Sequence, residues 1–240
     1  MVRVGLRALI VAVGIVLVAA GHAGAQGAGQ DRRQNKAGAF DYYLLALSWS
    51  PSFCADSGDR FPTRAPQPEC KGRPFSFTVH GLWPQYEKGF PEFCQIPAPR
   101  LDRGIVSSML DLMPSPRLIF HEWDRHGVCA GQSARGYFEA VRKSRASVKI
   151  PTQFIALAAP LTIAPKEIQD AFVTANPGLT ANGIAVACGS KRLSEVRICL
   201  TKDFHFRDCP ESERRACRRD KVEMPPVRGD KVGIVPARGG

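Results

Sequence analysis

Residues 41–50 read Asp-Tyr-Tyr-Leu-Leu-Ala-Leu-Ser-Trp-Ser (DYYLLALSWS), a dense aromatic and aliphatic run with its single charge at the start. Such a run predicts a buried strand. Downstream, residues 73–83 carry the alternation Phe75, Phe77, Val79, a half-buried strand ending near His80. At the far end, residues 183–188, 193–200 and 204–206 read as strands of an antiparallel meander. Helical patterns fill the middle, over residues 101–113, 116–126, 135–147 and 165–174. The second has Ser115 as cap, Pro116 at its first position and Gly127 as stop. Residues 56–72, rich in proline and glycine between Cys54 and Cys70, read as loop, as do the proline-rich residues 84–100. Strands at both ends with helices between predict a single α+β domain, a central antiparallel sheet flanked by helices.

That domain is expected over residues 41–222. Residues 26–40, mostly glycine, glutamine and charge, form a loose lead, and residues 223–240 a basic, flexible tail with little to pack. Before them, Arg3 and Arg7 precede an apolar run over residues 8–20, and Ala23-Gly24-Ala25 offers a cleavage site. This is the pattern of a secretory signal peptide over residues 1–25. The alternative is a membrane anchor, but the run is short of the roughly 20 residues that a span requires. The expectation is a soluble exported protein with no membrane association after cleavage.

Export decides how the cysteines are read. The eight cysteines form an even set, and an oxidising compartment makes disulfides their expected state. No C-x-x-C pair occurs, and spacing alone leaves on the order of a hundred pairings open. No N-x-[ST] sequon occurs either, since Asn35, Asn176 and Asn182 are followed by the wrong residues. This favours a bacterial periplasm or medium. The formal charge of +11, from 33 Lys+Arg against 22 Asp+Glu, implies a polyanionic partner without saying whether it is nucleic acid or an anionic surface. Clusters at Arg142/Lys143/Arg145/Lys149 and Arg214/Arg215/Arg218/Arg219/Lys221 are equally consistent with an RNA track and with solvated surface charge.

The chemistry concentrates in two segments, Phe77-Thr78-Val79-His80-Gly81-Leu82-Trp83-Pro84 and His121-Glu122-Trp123-Asp124-Arg125-His126-Gly127-Val128-Cys129. At about 100° per helical residue, His121, Glu122, Arg125 and His126 fall in one sector of about 140°, while Trp123 turns toward the core. A solvated helix face is the plain alternative for this set. A metal site is the sharper one, but the zinc-protease pattern needs histidines four apart, and these are five apart. Recruiting Cys129 as a ligand would also leave an odd number of cysteines. His205, between Phe204 and Phe206, is expected to be structural or solvent-facing.

The two segments resemble the paired signatures of the ribonuclease T2 family, secreted acid endoribonucleases. His80 to Pro84 matches H-G-L-W-P throughout. Residues 121–129 match H-E-W-x-K-H-G-x-C except that Arg125 stands in place of lysine, and a looser likeness runs from about Asp41 to Cys217. The resemblance implies an exported endoribonuclease of low base specificity. It would cleave single-stranded RNA to 2′,3′-cyclic phosphates, a lyase-type step, and then hydrolyse these slowly to 3′-phosphates. It implies His80 as general acid and His126 as general base, which together give a bell-shaped pH profile. Glu122 and Arg125 would stabilise the phosphorane, with His121 holding the phosphate. Trp83 would stack on a base, its alternative being a core tryptophan. Gln85 stands where some members use an acidic residue for the base, so base preference does not carry over. The resemblance further implies the pairs Cys54–Cys70, Cys94–Cys129, Cys188–Cys217 and Cys199–Cys209. RNA is the implied substrate, for a monomer with no metal and no cofactor. The reading from another class is a non-catalytic basic exported protein that binds RNA or envelope surfaces. Such a protein would have no need of His80, Glu122 and His126 together.

Overall fold

The computed structural model describes residues 34–60, 70, 73–210 and 217–227. In chain order the elements are β1 (Tyr42–Trp49), α1 (Ser50–Arg60), β2 (Phe77–Gln85), α2 (Arg103–Met109), α3 (Pro116–Arg125), α4 (Ala134–Ala146), α5 (Thr152–Ile155), β3 (Leu161–Ile163), α6 (Pro165–Ala175), β4 (Ile184–Cys188), β5 (Leu193–Leu200) and β6 (Val222–Met224). Four strands form an antiparallel sheet in the order β2-β1-β5-β4, and β3 pairs with β6 in a separate ribbon. This is the expected α+β domain, a central antiparallel sheet with helices between its strands. All four expected disulfides are present: Cys54–Cys70, Cys94–Cys129, Cys188–Cys217 and Cys199–Cys209.

β1 is central, and its side chains alternate between two faces. Tyr43, Leu45, Leu47 and Trp49 enter the main core, whereas Tyr42 and Leu44 join Cys199 and Cys209 in a small apolar cluster on the other side. Further along that second face β1 presents only Ala46 and Ser48. The pairing with β2 contains a bulge there: Ala46 faces Gly81 and Leu47 faces Val79, which leaves His80 as the extra residue. The bulge changes the parity of β2. Phe77 and Val79 point into the core before it and Leu82 after it, while Thr78, Gly81, Trp83 and Gln85 lie on the Ala46/Ser48 face. β5 continues that face with Glu195 opposite Ser48 and Arg197 opposite Ala46.

α3 starts as its sequence predicts. The Ser115 side chain accepts from the Leu118 amide and Pro116 opens the helix. Ile119 and Trp123 are buried, and the Trp123 indole N–H donates to the Pro99 carbonyl at 2.7 Å. The helix ends where Gly127 packs beneath Trp123 and Tyr137, with no room for a Cβ, which would lie 2.6 Å from the Trp123 ring. Cys94–Cys129 then clamps the preceding loop to this turn.

Several expectations need correction. Residues 56–60, expected as loop, belong to α1. Pro51 sits in the first turn, where proline is tolerated, and Pro62, Pro66 and Pro68 all lie beyond the helix end. Residues 204–206 form a turn and not a strand. Phe204 has φ 66°, the Thr201 amide donates to the His205 carbonyl, and only a single Leu200–Phe206 bridge forms. His205 is exposed on it, as expected. The helix expected over 101–113 is confined to Arg103–Met109.

The packed chain also extends past both expected ends. β6 buries Val222 and Met224, the Trp49 indole donates to the Pro225 carbonyl, and the Val227 amide donates to Leu157. A three-residue alternation is too short to read in sequence. Before β1, Phe40 is buried, the Gly38 amide donates to the Cys129 carbonyl and Asn35 accepts from the Glu92 amide. The signal-peptide stretch, Arg214, Arg215 and residues 228–240 lie outside the described residues. In the other basic cluster, Arg142 forks onto Asp111 and Arg145 donates to the Val148 carbonyl, so these two serve packing. Among the described residues no helix is long and apolar enough to cross a membrane.

Candidate active site

The bulged strand β2 and the end of α3 meet across a cleft of about 360 Å³. It is lined by His80, Trp83, Gln85, His121, Glu122, Arg125 and His126, together with Leu44, Phe90 and Arg197. All six site residues expected from the sequence are thus brought together. Glu122, of the second signature, is buried against the first. Its Oε2 accepts the Trp83 indole N–H at 2.7 Å, and its Oε1 lies 3.7 Å from His80 Nε2. Trp83 stands between the imidazoles, its ring centre 5.3 Å from that of His80 and 5.4 Å from that of His126. Gly81 permits this approach: a Cβ there would meet Glu122 Oε2 at 2.0 Å.

The two histidines have opposite electrostatic surroundings. Burial pushes the His126 pKa down to about 3, assisted by the positive charge of Arg125 and by His121 and His80. Its Nδ1 is buried with no partner among the described residues, and both features favour the neutral ring. Burial alone would also lower His80, but the hydrogen bond and charge of Glu195, with the charge of Glu122, outweigh burial and Arg197 and raise it overall. Burial lifts the Glu122 carboxyl to about 7 against the opposing pull of His80 and the Trp83 hydrogen bond. Two imidazoles held neutral and charged at the same pH are the pair that concerted acid–base chemistry requires.

His121 is exposed and also lines a second, larger cleft of about 610 Å³, so that His80 and His121 are common to both. Arg125 points its guanidinium at Glu92, 2.8 Å away, and lies over the Phe93 ring. Sequence reasoning missed Phe90, Glu92, Arg197 and above all Glu195, whose carboxylate accepts a short hydrogen bond from His80 Nδ1. A signal for the last was present: Glu195 and Arg197, the two charged residues of β5, stand two apart on the strand and must share a face. Among the described residues no group of three or more His, Cys, Asp or Glu is arranged to hold a metal. Cys129, the extra ligand in the metal reading, is tied up in a disulfide.

Residues 40–209 match the model of the ribonuclease T2 family. The chain belongs to the ribonuclease T2 family. A ribonuclease from Aeromonas hydrophila is 33% identical over 174 residues, 71% of this chain and 76% of that one. A probable ribonuclease from Haemophilus influenzae is 37% identical over 129 residues, 50% of this chain and 47% of that one. The match thus spans about half the length of the Haemophilus relative. Among solved structures, RNase NT in complex with 5′-AMP shares 25% identity at a TM-score of 0.59, over 78% of this chain and 98% of that one. An RNase-related protein from Calystegia sepium gives a TM-score of 0.63 at 20% identity, over 79% and 98%. The ribonuclease T2 likeness takes in both signatures and β5, the elements that form the cleft.

Proposed function

We propose that the protein is an exported, metal-independent endoribonuclease. It cleaves single-stranded RNA by attack of the ribose 2′-oxygen on the adjacent phosphorus. The observation that carries this reading is the facing pair of histidines, His126 kept neutral and His80 kept protonated across one cleft. His126 takes the 2′-hydroxyl proton as the new O–P bond forms. His80 gives its Nε2 proton to the departing 5′-oxygen as the old bond breaks, leaving a 2′,3′-cyclic phosphate. The same pair with roles exchanged adds water to the ring, slowly, to give a 3′-phosphate.

Negative charge grows on the phosphoryl oxygens in the transition state, and preorganised donors there are commonly worth a few kcal/mol. His121 and Arg125 supply positive or polar contacts at the cleft mouth. Glu122, with its carboxyl near pKa 7, is protonated at acidic pH. There it donates a hydrogen to a phosphoryl oxygen instead of repelling it. Trp83 offers a ring edge and face to a base, and low base specificity follows from stacking without a dedicated reader. The site needs neither metal nor cofactor, since the nucleophile belongs to the substrate. The protein acts as a monomer in the periplasm or the medium, where its disulfides persist.

Digestion of RNA and DNA by purified protein in EDTA tests the proposal. RNA cleavage with cyclic-phosphate ends and intact DNA is the expected result. Loss of activity on chelation, or comparable cleavage of DNA, refutes it. A basic protein that binds RNA without cutting it would favour the non-catalytic reading.

A further inference from the structure

We propose that Glu195 is a positioning residue for the general acid, fixing the orientation and tautomer of His80, with Arg197 holding the carboxylate in place. The inference rests on the ribonuclease reading above and adds a residue that neither signature contains. β1 lies between β2 and β5, so His80 and Glu195 sit two strands apart, roughly 10 Å between backbones. They meet because the bulge at His80 lifts its side chain over β1 and because β1 presents only Ala46 and Ser48 beneath the contact. Glu195 Oε1 accepts from His80 Nδ1, and Glu195 Oε2 accepts from Arg197 Nε at 2.9 Å. Both carboxylate oxygens are thereby committed, in a residue only 8% exposed.

This arrangement has a chemical consequence. With Nδ1–H held by a carboxylate, the proton His80 can release is always the one on Nε2, the nitrogen that faces Glu122 and the cleft. After release, the ring remains in the single tautomer that keeps Nδ1–H on Glu195. The groups that face His80 are Glu195 and Arg197 from β5, Glu122 from α3 and His126 at its end. Of the two carboxyls, Glu122 carries its proton at acidic pH, whereas Glu195 is held ionised by His80 and Arg197 against the effect of burial. Glu195 is therefore the group that retains the imidazolium.

The test compares two substrates on the same enzyme preparation. One is a ribonucleoside dinucleotide, whose alkoxide leaving group needs a proton. The other is a ribonucleoside 3′-(4-nitrophenyl phosphate), whose phenolate leaves without one. Glu195→Gln should lower kcat on the dinucleotide about ten- to a hundredfold, part of the range a general acid supplies, and leave the nitrophenyl ester within about threefold. Glu195→Asp should restore part of the loss. The alkaline limb of the dinucleotide pH profile should also move to lower pH in Glu195→Gln. The ratio between substrates does not depend on the fraction of protein that folds, so a destabilised variant still gives an answer. Equal losses on both substrates, or no loss on either, would overturn the role of Glu195. A wild-type protein that cleaves neither substrate would instead overturn the ribonuclease reading.

Discussion

At Gly81 the two signature segments approach within less than the width of a methyl group. An alanine Cβ there would lie 2.0 Å from Glu122 Oε2 and 2.3 Å from Trp83 Nε1, so both partners of their hydrogen bond must move. Overpacking of this kind costs about 1–3 kcal/mol, and here the displaced atoms belong to the site. Gly81→Ala should lower kcat at least about a hundredfold, the scale of losing one transition-state donor, while urea melts still show a folded protein. Activity near that of wild type would mean that the Trp83–Glu122 bond is incidental. Arg125 poses a different question, because its guanidinium already has a carboxylate partner in Glu92. In the proposed reaction, substrate phosphate would have to compete with that partner for the fork. Arg125→Ala should still reduce kcat by roughly two to three orders of magnitude, and Arg125→Lys should stay within about tenfold. Steady-state kinetics on one dinucleotide decides it: an alanine variant within threefold of wild type would leave Arg125 as a surface partner of Glu92, worth under about 1 kcal/mol.

The strand β2 shows what an element hides from its sequence. Its alternation Phe77, Val79 is readable, but the extra residue at His80 is not, because a bulge is set by the partner strand's register. Without it Gly81 and Trp83 would follow Val79 into the core; with it Leu82 does so and Trp83 reaches the cleft. The same limit hid Glu195, whose contact with His80 exists only once three strands are in register. By contrast α3 was legible from cap to stop, since Ser115, Pro116 and Gly127 act locally. Helix α1 was obscured by the prolines that follow it, and β6 by its length. The clamp between elements gives a further prediction. Cys94–Cys129 joins the loop carrying Phe90 and Glu92 to the end of α3. Replacing both cysteines with serine should cost about 2–4 kcal/mol and lower activity more than the equivalent change at Cys188–Cys217, as read by thermal melts and kcat/KM. Equal effects on activity from the two pairs would show that the clamp does not position the site.

On the scale of the whole molecule, the cleft groups set how the protein responds to pH. The proposed reaction needs His126 neutral and His80 protonated, so kcat/KM should rise from an acid limb near pH 3 and fall on an alkaline limb above 6.5. Stability follows a different course. The folded pKa of His126 is depressed from 6.5, so its contribution is present above pH 6.5 and is lost as pH falls toward about 3. Glu122, raised from 4.5 to about 7, contributes fully below 4.5 and loses its contribution as pH rises toward 7, which offsets part of the His126 effect between 4.5 and 6.5. His126→Gln should therefore have a flatter melting temperature than wild type between about pH 3 and 4.5, and one that falls with rising pH between 4.5 and 6.5, where Glu122 is no longer offset; an unchanged slope in both windows would mean that His126 is not the titrating group. A last consequence follows from His80 and His121 lying on the ridge between two clefts. A strand that crosses that ridge has chain continuing on either side, and such a passage requires no terminus. Scission should then fall at random along a polymer. The viscosity of a long RNA should collapse while almost none of it is acid-soluble, and an end-labelled substrate should give a broad ladder from the first time point. A mononucleotide front that advances from one end would contradict this geometry.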